Sequence, residues 1–294
     1  MSQIQFRGCG TALLTPFKNK GTEVDYDAVA KLTERQVEAG VHFLVPLGTT
    51  GETPCLTDAE KIRILQTTKE HAAGKPIIVG GGTNSLAQTI NSMKVLEPYG
   101  PDAFLIVVPY YNKPTQKGLF EYFKAVAEST EKGIVLYNVP GRTGANIEAE
   151  TTLRLAEEVE NIIAVKEASG KYQQISQIIR NRPEGFSVLS GNDDETLSLM
   201  ATGADGVISV ASNIDPVRMV KLVEALEKDD MKTARELHYK LMPLFKNCFL
   251  ESNPIPAKAA LAQMGLMENS LRLPLYPATE ATEAIIRETL KELF

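Results

Sequence analysis

A repeated alternation of short apolar runs with helical stretches constrains this chain more than any other feature. Strands are expected near Thr11–Leu14, Phe43–Pro46, Ile77–Gly80, Ala103–Val108, Ile134–Tyr137, Ile162–Lys166, Ser187–Ser190 and Val207–Val210. Most are separated from the next by one helix length plus loops, the spacing of βα units that feed a parallel sheet. Eight such runs with none out of pattern predict a closed (β/α)8 TIM barrel rather than an open doubly wound sheet. The cluster Gly80-Gly81-Gly82 lacks the GxGxxG spacing that a dinucleotide-binding sheet would want.

Helix signals fall between the runs. Asp25 precedes the apolar positions Tyr26, Val29 and Leu32, and Gly40 follows them as a C-terminal stop. Thr57-Asp-Ala-Glu60 has the pattern of a capping box, and Asp215-Pro216 sets a cap before a proline at the first helical position. Beyond Val210 only helices are expected, near Pro216–Glu227, Met231–Asn247, Pro256–Met264 and Glu280–Leu293. The chain is therefore expected to divide into a barrel over residues 1–225 and a C-terminal helical extension over 226–294, packed on the barrel.

Composition narrows the partners. A formal net charge of -6 argues against a nucleic-acid ligand, which would want a basic face. No segment approaches the ~20 apolar residues of a membrane span. The stretch from Met1 to Gly10 has no long apolar run, so no leader is expected. Cys9, Cys55 and Cys248 are odd in number and scattered, which suits a reducing cytoplasm. His42, His71 and His238 stand apart without metal-ligand spacing, so no metal site is expected.

Within this pattern the stretch Asn161-Ile-Ile-Ala-Val-Lys-Glu-Ala-Ser-Gly170 places a lysine near the end of a buried strand. Strand alternation puts Ile162, Ala164 and Lys166 on one side and Ile163 and Val165 on the other. An ammonium in dry surroundings is costly. It pairs, snorkels to water, or loses its proton and becomes a nucleophile toward carbonyls. In a barrel of this kind the chemistry sits at the C-terminal ends of strands. The second strand there runs into Gly48-Thr49-Thr50-Gly51-Glu52, a tight turn with hydroxyls and free N–H groups. The fourth runs into Pro109-Tyr110-Tyr111-Asn112, and the fifth into Tyr137-Asn138-Val139-Pro140-Gly141-Arg142. Tyr137 is expected beside Lys166 on a neighbouring strand, where a phenol can relay protons to an amine. Arg142 offers a planar fork for a carboxylate. These groups match aldol-type bond formation on a 2-oxo acid through an imine, with no metal or organic cofactor.

The strings Gly48-Thr-Thr-Gly-Glu52, Tyr110-Tyr-Asn-Lys-Pro114, Tyr137-Asn-Val-Pro-Gly-Arg-Thr-Gly144, Val165-Lys-Glu-Ala168, Leu189-Ser-Gly-Asn-Asp193, Gly206-Val-Ile-Ser209 and Asn253-Pro-Ile-Pro256 follow one another along the chain. With them the sequence resembles the pyruvate-dependent Schiff-base lyase superfamily, and within it the 4-hydroxy-tetrahydrodipicolinate synthase family. The resemblance runs from about Phe6 into the C-terminal helices. It implies that Lys166 forms an imine with pyruvate. It implies a proton relay of Tyr137, Thr49 and Tyr111, with Tyr111 reaching in from a neighbouring subunit. Thr50 and the backbone at Gly191 and Ile208 would hold the pyruvate part, and Arg142 the carboxylate of L-aspartate 4-semialdehyde. The product belongs to the diaminopimelate route to lysine, and such proteins are usually homotetramers built as dimers of dimers.

The family's lysine-inhibited members bind lysine in a pocket that maps here to Thr53, Pro54, Asp58, Lys61, Asn84, Gln88 and Tyr110. Asn84 and Tyr110 suit such a pocket. Lys61 brings an ammonium toward a cationic ligand, and Gln88 supplies no carboxylate, which Asp58 could offset only in part, so weak or absent inhibition is expected. The nearest rivals are N-acetylneuraminate lyase and the 2-keto-3-deoxy sugar-acid aldolases, which keep the lysine and tyrosine but generally lack an arginine like Arg142. A silent barrel that only binds 2-oxo acids is the rival of a different class, and it would not need Thr49, Tyr111 and Tyr137 together.

Overall fold

The apolar runs form parallel strands, and both of their faces are buried because helices cover the outside. The computed structural model describes residues 5–294. Its barrel strands are β1 (Gly8–Ala12), β2 (Phe43–Val45), β3 (Ile78–Gly80), β4 (Ala103–Val107), β5 (Gly133–Asn138), β6 (Ile162–Glu167), β7 (Ser187–Ser190) and β8 (Gly206–Ser209). All are neighbours in one eight-stranded sheet, ordered β2-β1-β8-β7-β6-β5-β4-β3. A parallel bridge between Leu44 and Ile77, with Leu44 N donating to Pro76 O at 2.9 Å, brings β2 against the start of β3 and closes the ring. The (β/α)8 TIM barrel is thus observed. The expected strand limits differ by one to three residues at most ends, and β1 starts earlier than expected because glycines carry its first half. A two-stranded ribbon, Phe17–Lys18 with Glu23–Val24, was not expected; it is too short to show a periodic pattern.

One correction concerns strand phase. Ile134 pairs with Ile162, but the next pair is Val135 with Ala164, so Ile163 is an extra residue in β6. Such a bulge breaks the two-residue alternation. Ile163 and Ala164 both pack in the barrel interior, while Ile162 and Val165 pack in the outer layer under the helices. Ile162 therefore does not share a face with Lys166, as strict alternation would require. Gly133 gives the Ile163 side chain room: a Cβ there would sit 2.3 Å from Ile163 Cδ1.

The helix signals form as expected. Asp25 accepts from Ala28 N at 3.1 Å to start Tyr26–Glu38, and Gly40 follows with φ +86°. Thr57 and Glu60 form both halves of the capping box that opens Asp58–His71. Asp215 accepts from Arg218 N at 3.1 Å ahead of Pro216–Glu227. Three further helices, Met231–Asn247, Ile255–Gln263 and Glu280–Leu293, complete the chain.

Two polar ties bind this last part to the barrel. Lys258 is fully buried, with its Nζ 2.5 Å from Glu52 Oε1, donating to Ser270 O at 3.0 Å and lying 4.0 Å from the Phe17 ring centre. Burial pulls its ammonium below the ordinary lysine range, and Glu52 pulls the other way. Removing one partner of such a pair leaves a buried charge alone, at a cost of about 3–5 kcal/mol. Arg272 grips Glu60 with both ends of its fork, at 2.6 and 2.8 Å. Those hydrogen bonds hold the Glu60 carboxyl down from 4.5 to about 2.

A depressed carboxylate pKa stabilises the folded state above the unfolded value and loses that effect as pH falls through the folded one. Glu60→Gln is therefore expected to lower Tm at neutral pH. The deficit should shrink as pH falls from 4.5 toward 2, the span of the Glu60 shift. Thermal melts of both proteins across that range test this, and a deficit independent of pH would refute it.

Candidate active site

The site begins with β5 and β6. Tyr137 and Lys166 are Cα partners across this pair. Both point into the barrel mouth, at 7% and 6% exposure, and Lys166 Nζ lies 4.3 Å from the centre of the Tyr137 ring. The two side chains are therefore in contact, with the amine over the face of the ring. The stem of Lys166 has room because residue 191 is glycine. A Cβ at Gly191 would lie 3.1 Å from Lys166 Cε and 2.6 Å from Ala168 Cβ.

A small cavity of about 50 Å³ forms over this pair, lined by Thr49, Thr50, Arg142, Gly191 and Asn253 among others. Thr50 is buried, and its Oγ1 accepts from Asn253 Nδ2 at 2.9 Å. The Thr50 proton is thereby left to donate elsewhere. Arg142 sits in the helical turn Pro140–Thr143 and donates from Nη2 to Asn253 O at 3.3 Å. Asn253 thus touches both the hydroxyl and the guanidinium. The sequence string around it pointed to this residue without assigning a task.

Of the two expected backbone contacts, Gly191 lines the cavity, with its N donating to Glu167 O at 2.6 Å. Ile208 is fully buried in the barrel interior and does not line the cavity; Val210, two residues on, does. Tyr111 is not brought into this chain's own cavity. It is 88% exposed, at φ +76°, with its N donating to Thr143 O at 3.4 Å. Asp193 carried no expectation beyond its place in a sequence string. It is buried, and its Oδ2 accepts from Val210 N at 3.0 Å and Ala211 N at 2.9 Å. Burial pushes its carboxyl up, while hydrogen bonds and the nearby charge of Lys166 pull it down.

A larger cavity of about 690 Å³ shares Gly48, Thr49, Tyr137 and Arg142 with the first. Thr53, Pro54, Asp58, Lys61, Gln88 and Tyr110 line it, which gathers all but one of the expected allosteric residues. Asn84 is outside the lining and donates to Tyr110 O at 3.4 Å. Lys61 Nζ lies 3.0 Å from Asp58 Oδ1, so that carboxylate is already engaged.

An enclosed amine against a phenol, with hydroxyls above and a guanidinium at the rim, can form an imine with a small carbonyl acid and pass the protons this requires. The comparisons with known proteins agree. A 4-hydroxy-tetrahydrodipicolinate synthase of Parabacteroides distasonis is 47% identical over 294 residues, covering 100% of this chain and 99% of that one. A crystal structure of dihydrodipicolinate synthase from Thermotoga maritima superposes with a TM-score of 0.96 at 46% identity, covering 99% of both chains. One from Cyanidioschyzon merolae, with lysine bound, superposes with a TM-score of 0.93 at 39% identity, covering 98% of this chain and 99% of that one. A family model described as the dihydrodipicolinate synthetase family matches residues 5–293, and the chain belongs to that family.

Proposed function

We propose that this chain has the activity named for those relatives and condenses pyruvate with L-aspartate 4-semialdehyde. The observation that carries the reading is the register of β5 and β6, which sets Lys166 against Tyr137 inside the mouth. The Lys166 amine attacks C2 of pyruvate, and loss of water gives the imine. A proton leaves the methyl carbon, and the resulting enamine attacks the aldehyde carbon. The amino group of the new chain then attacks C2, closes the ring and releases the lysine amine. Tyr137 and Thr49 move protons in these steps, and Thr50 with the Gly191 carbonyl orients the pyruvate part. Arg142 receives the carboxylate of the semialdehyde. Nothing in this scheme calls for a metal or an organic cofactor.

Tyr111 fits the relay of a neighbouring copy, since it is exposed and lines neither cavity. A homotetramer built as a dimer of dimers would use it that way, in the cytoplasm. No helix among the described residues is long and apolar enough to cross a membrane.

Three outcomes test the reading. Borohydride should trap pyruvate on the protein at Lys166, as read by peptide mass spectrometry, and Lys166→Ala should abolish both trapping and turnover; pyruvate still trapped on that variant would sink the assignment. Arg142→Ala should leave pyruvate trapping intact and weaken use of the semialdehyde by about 10- to 100-fold, the scale of a lost charged hydrogen bond. Equal loss of both would mean that Arg142 does something else. L-Lysine should inhibit weakly or not at all, because Lys61 and Gln88 face the larger cavity where a cationic ligand wants carboxylates. Strong inhibition at physiological lysine would refute that part.

A further inference from the structure

Behind the mouth, on the outer face of the same two strands, lies a buried polar network that the reaction scheme does not use. Asn138 and Glu167 are the next Cα partners after Tyr137 and Lys166. Their side chains are fully buried. Glu167 Oε1 accepts from Asn138 Nδ2 at 3.0 Å and from Gln174 Nε2 at 3.0 Å. Asn138 also donates to Asn146 Oδ1 at 3.0 Å and accepts from Ile147 N at 3.3 Å. Residues 138 and 146 bracket the loop that carries Arg142. The backbone of the same pair is tied as well: Ala168 N donates to Asn138 O at 2.8 Å and Gly191 N to Glu167 O at 2.6 Å.

We propose that Glu167 and Asn138 are positioning residues that set the height of Lys166 against Tyr137 and anchor the loop of Arg142. The proposal rests on the reading of Lys166 as the imine-forming amine. Buried polar groups joined in this way lock a single arrangement when each is satisfied. A shift of about 1 Å in reacting groups can cost ~100-fold in rate. Burial pushes the Glu167 carboxyl up, while hydrogen bonds from Ser169, Asn138 and Gln174 pull it down. The atom that joins the two strands to Gln174 is Oε1, and an amide oxygen supplies the same acceptor.

The substitution Glu167→Leu removes the acceptor and leaves an apolar side chain in its place. It does not orphan the two amides, because Asn138 Nδ2 keeps Asn146 Oδ1 and Gln174 Nε2 keeps Ile147 O at 3.1 Å. Single-turnover borohydride trapping with pyruvate alone should slow by ~10- to 100-fold in this variant, with the KM for pyruvate little changed. Glu167→Gln should restore the wild-type rate. Trapping by Glu167→Leu at the wild-type rate, or Glu167→Gln as slow as Glu167→Leu, would overturn the proposal. Should Glu167→Leu fail to fold, Asn138→Ser gives the second arm. It should slow trapping and also raise the KM for the semialdehyde, through the loop of Arg142. No change in either would overturn the proposal equally. A wild-type protein that pyruvate and borohydride leave unmodified would instead remove the imine reading itself, which separates that failure from this one.

Discussion

The pairing of β5 with β6 holds the rest of the site in place, and β6 has two jobs to reconcile. The outer layer needs Ile162 under the helices, and the mouth needs Lys166 inside the barrel. Strict alternation cannot supply both, because residues four apart share a face. The extra residue Ile163 changes the phase between them. The lower half of β6 can then serve the outer core while its upper end presents an amine beside Tyr137. Bulges next to active sites re-aim side chains in this way.

The second dependence runs from the C-terminal helices back to the mouth. Glu52 closes the turn that carries Thr49 and Thr50, in the left-handed region at φ 53°, and its carboxylate is held by Lys258 and by Arg272 N at 3.1 Å. Asn253 holds the Thr50 hydroxyl with its side chain and Arg142 with its carbonyl. The groups that would grip the two substrates are thus fixed from outside the barrel. A buried ion pair adds little net stability, yet it is demanding about geometry. That is the property a loop bearing reactive hydroxyls needs.

Much of this was legible in the sequence, for physical reasons. The two-residue and helical periods expose βα repetition, and the caps at Asp25, Thr57 and Asp215 act over a few residues, so local reading finds them. Lys166 stood out because an ammonium in an apolar strand needs an explanation. The bulge did not stand out, since Ile162 and Ile163 are chemically alike and only the partner strand shows which is skipped. Glu52 and Lys258 lie far apart in the chain, and no local pattern pairs them. The tie from the Gly191 N–H to Glu167 O left no sign in the sequence either. The outward network of Asn138, Asn146, Gln174 and Glu167 was invisible for the same reason, being assembled from three separate elements.

The contact between Gly133 and Ile163 has a consequence for how such a chain can drift. The hydrogen that serves as the side chain of residue 133 is what leaves space for an isoleucine to turn inward across the strand pair. The two positions are coupled: a larger group at 133 makes the Ile163 side chain turn aside or favours a smaller residue at 163. Losing the inserted residue would turn the amine toward the helices or drag Ile162 into the interior. Two unremarkable hydrocarbon positions, remote from any substrate, are therefore linked on behalf of a nucleophile that neither of them touches.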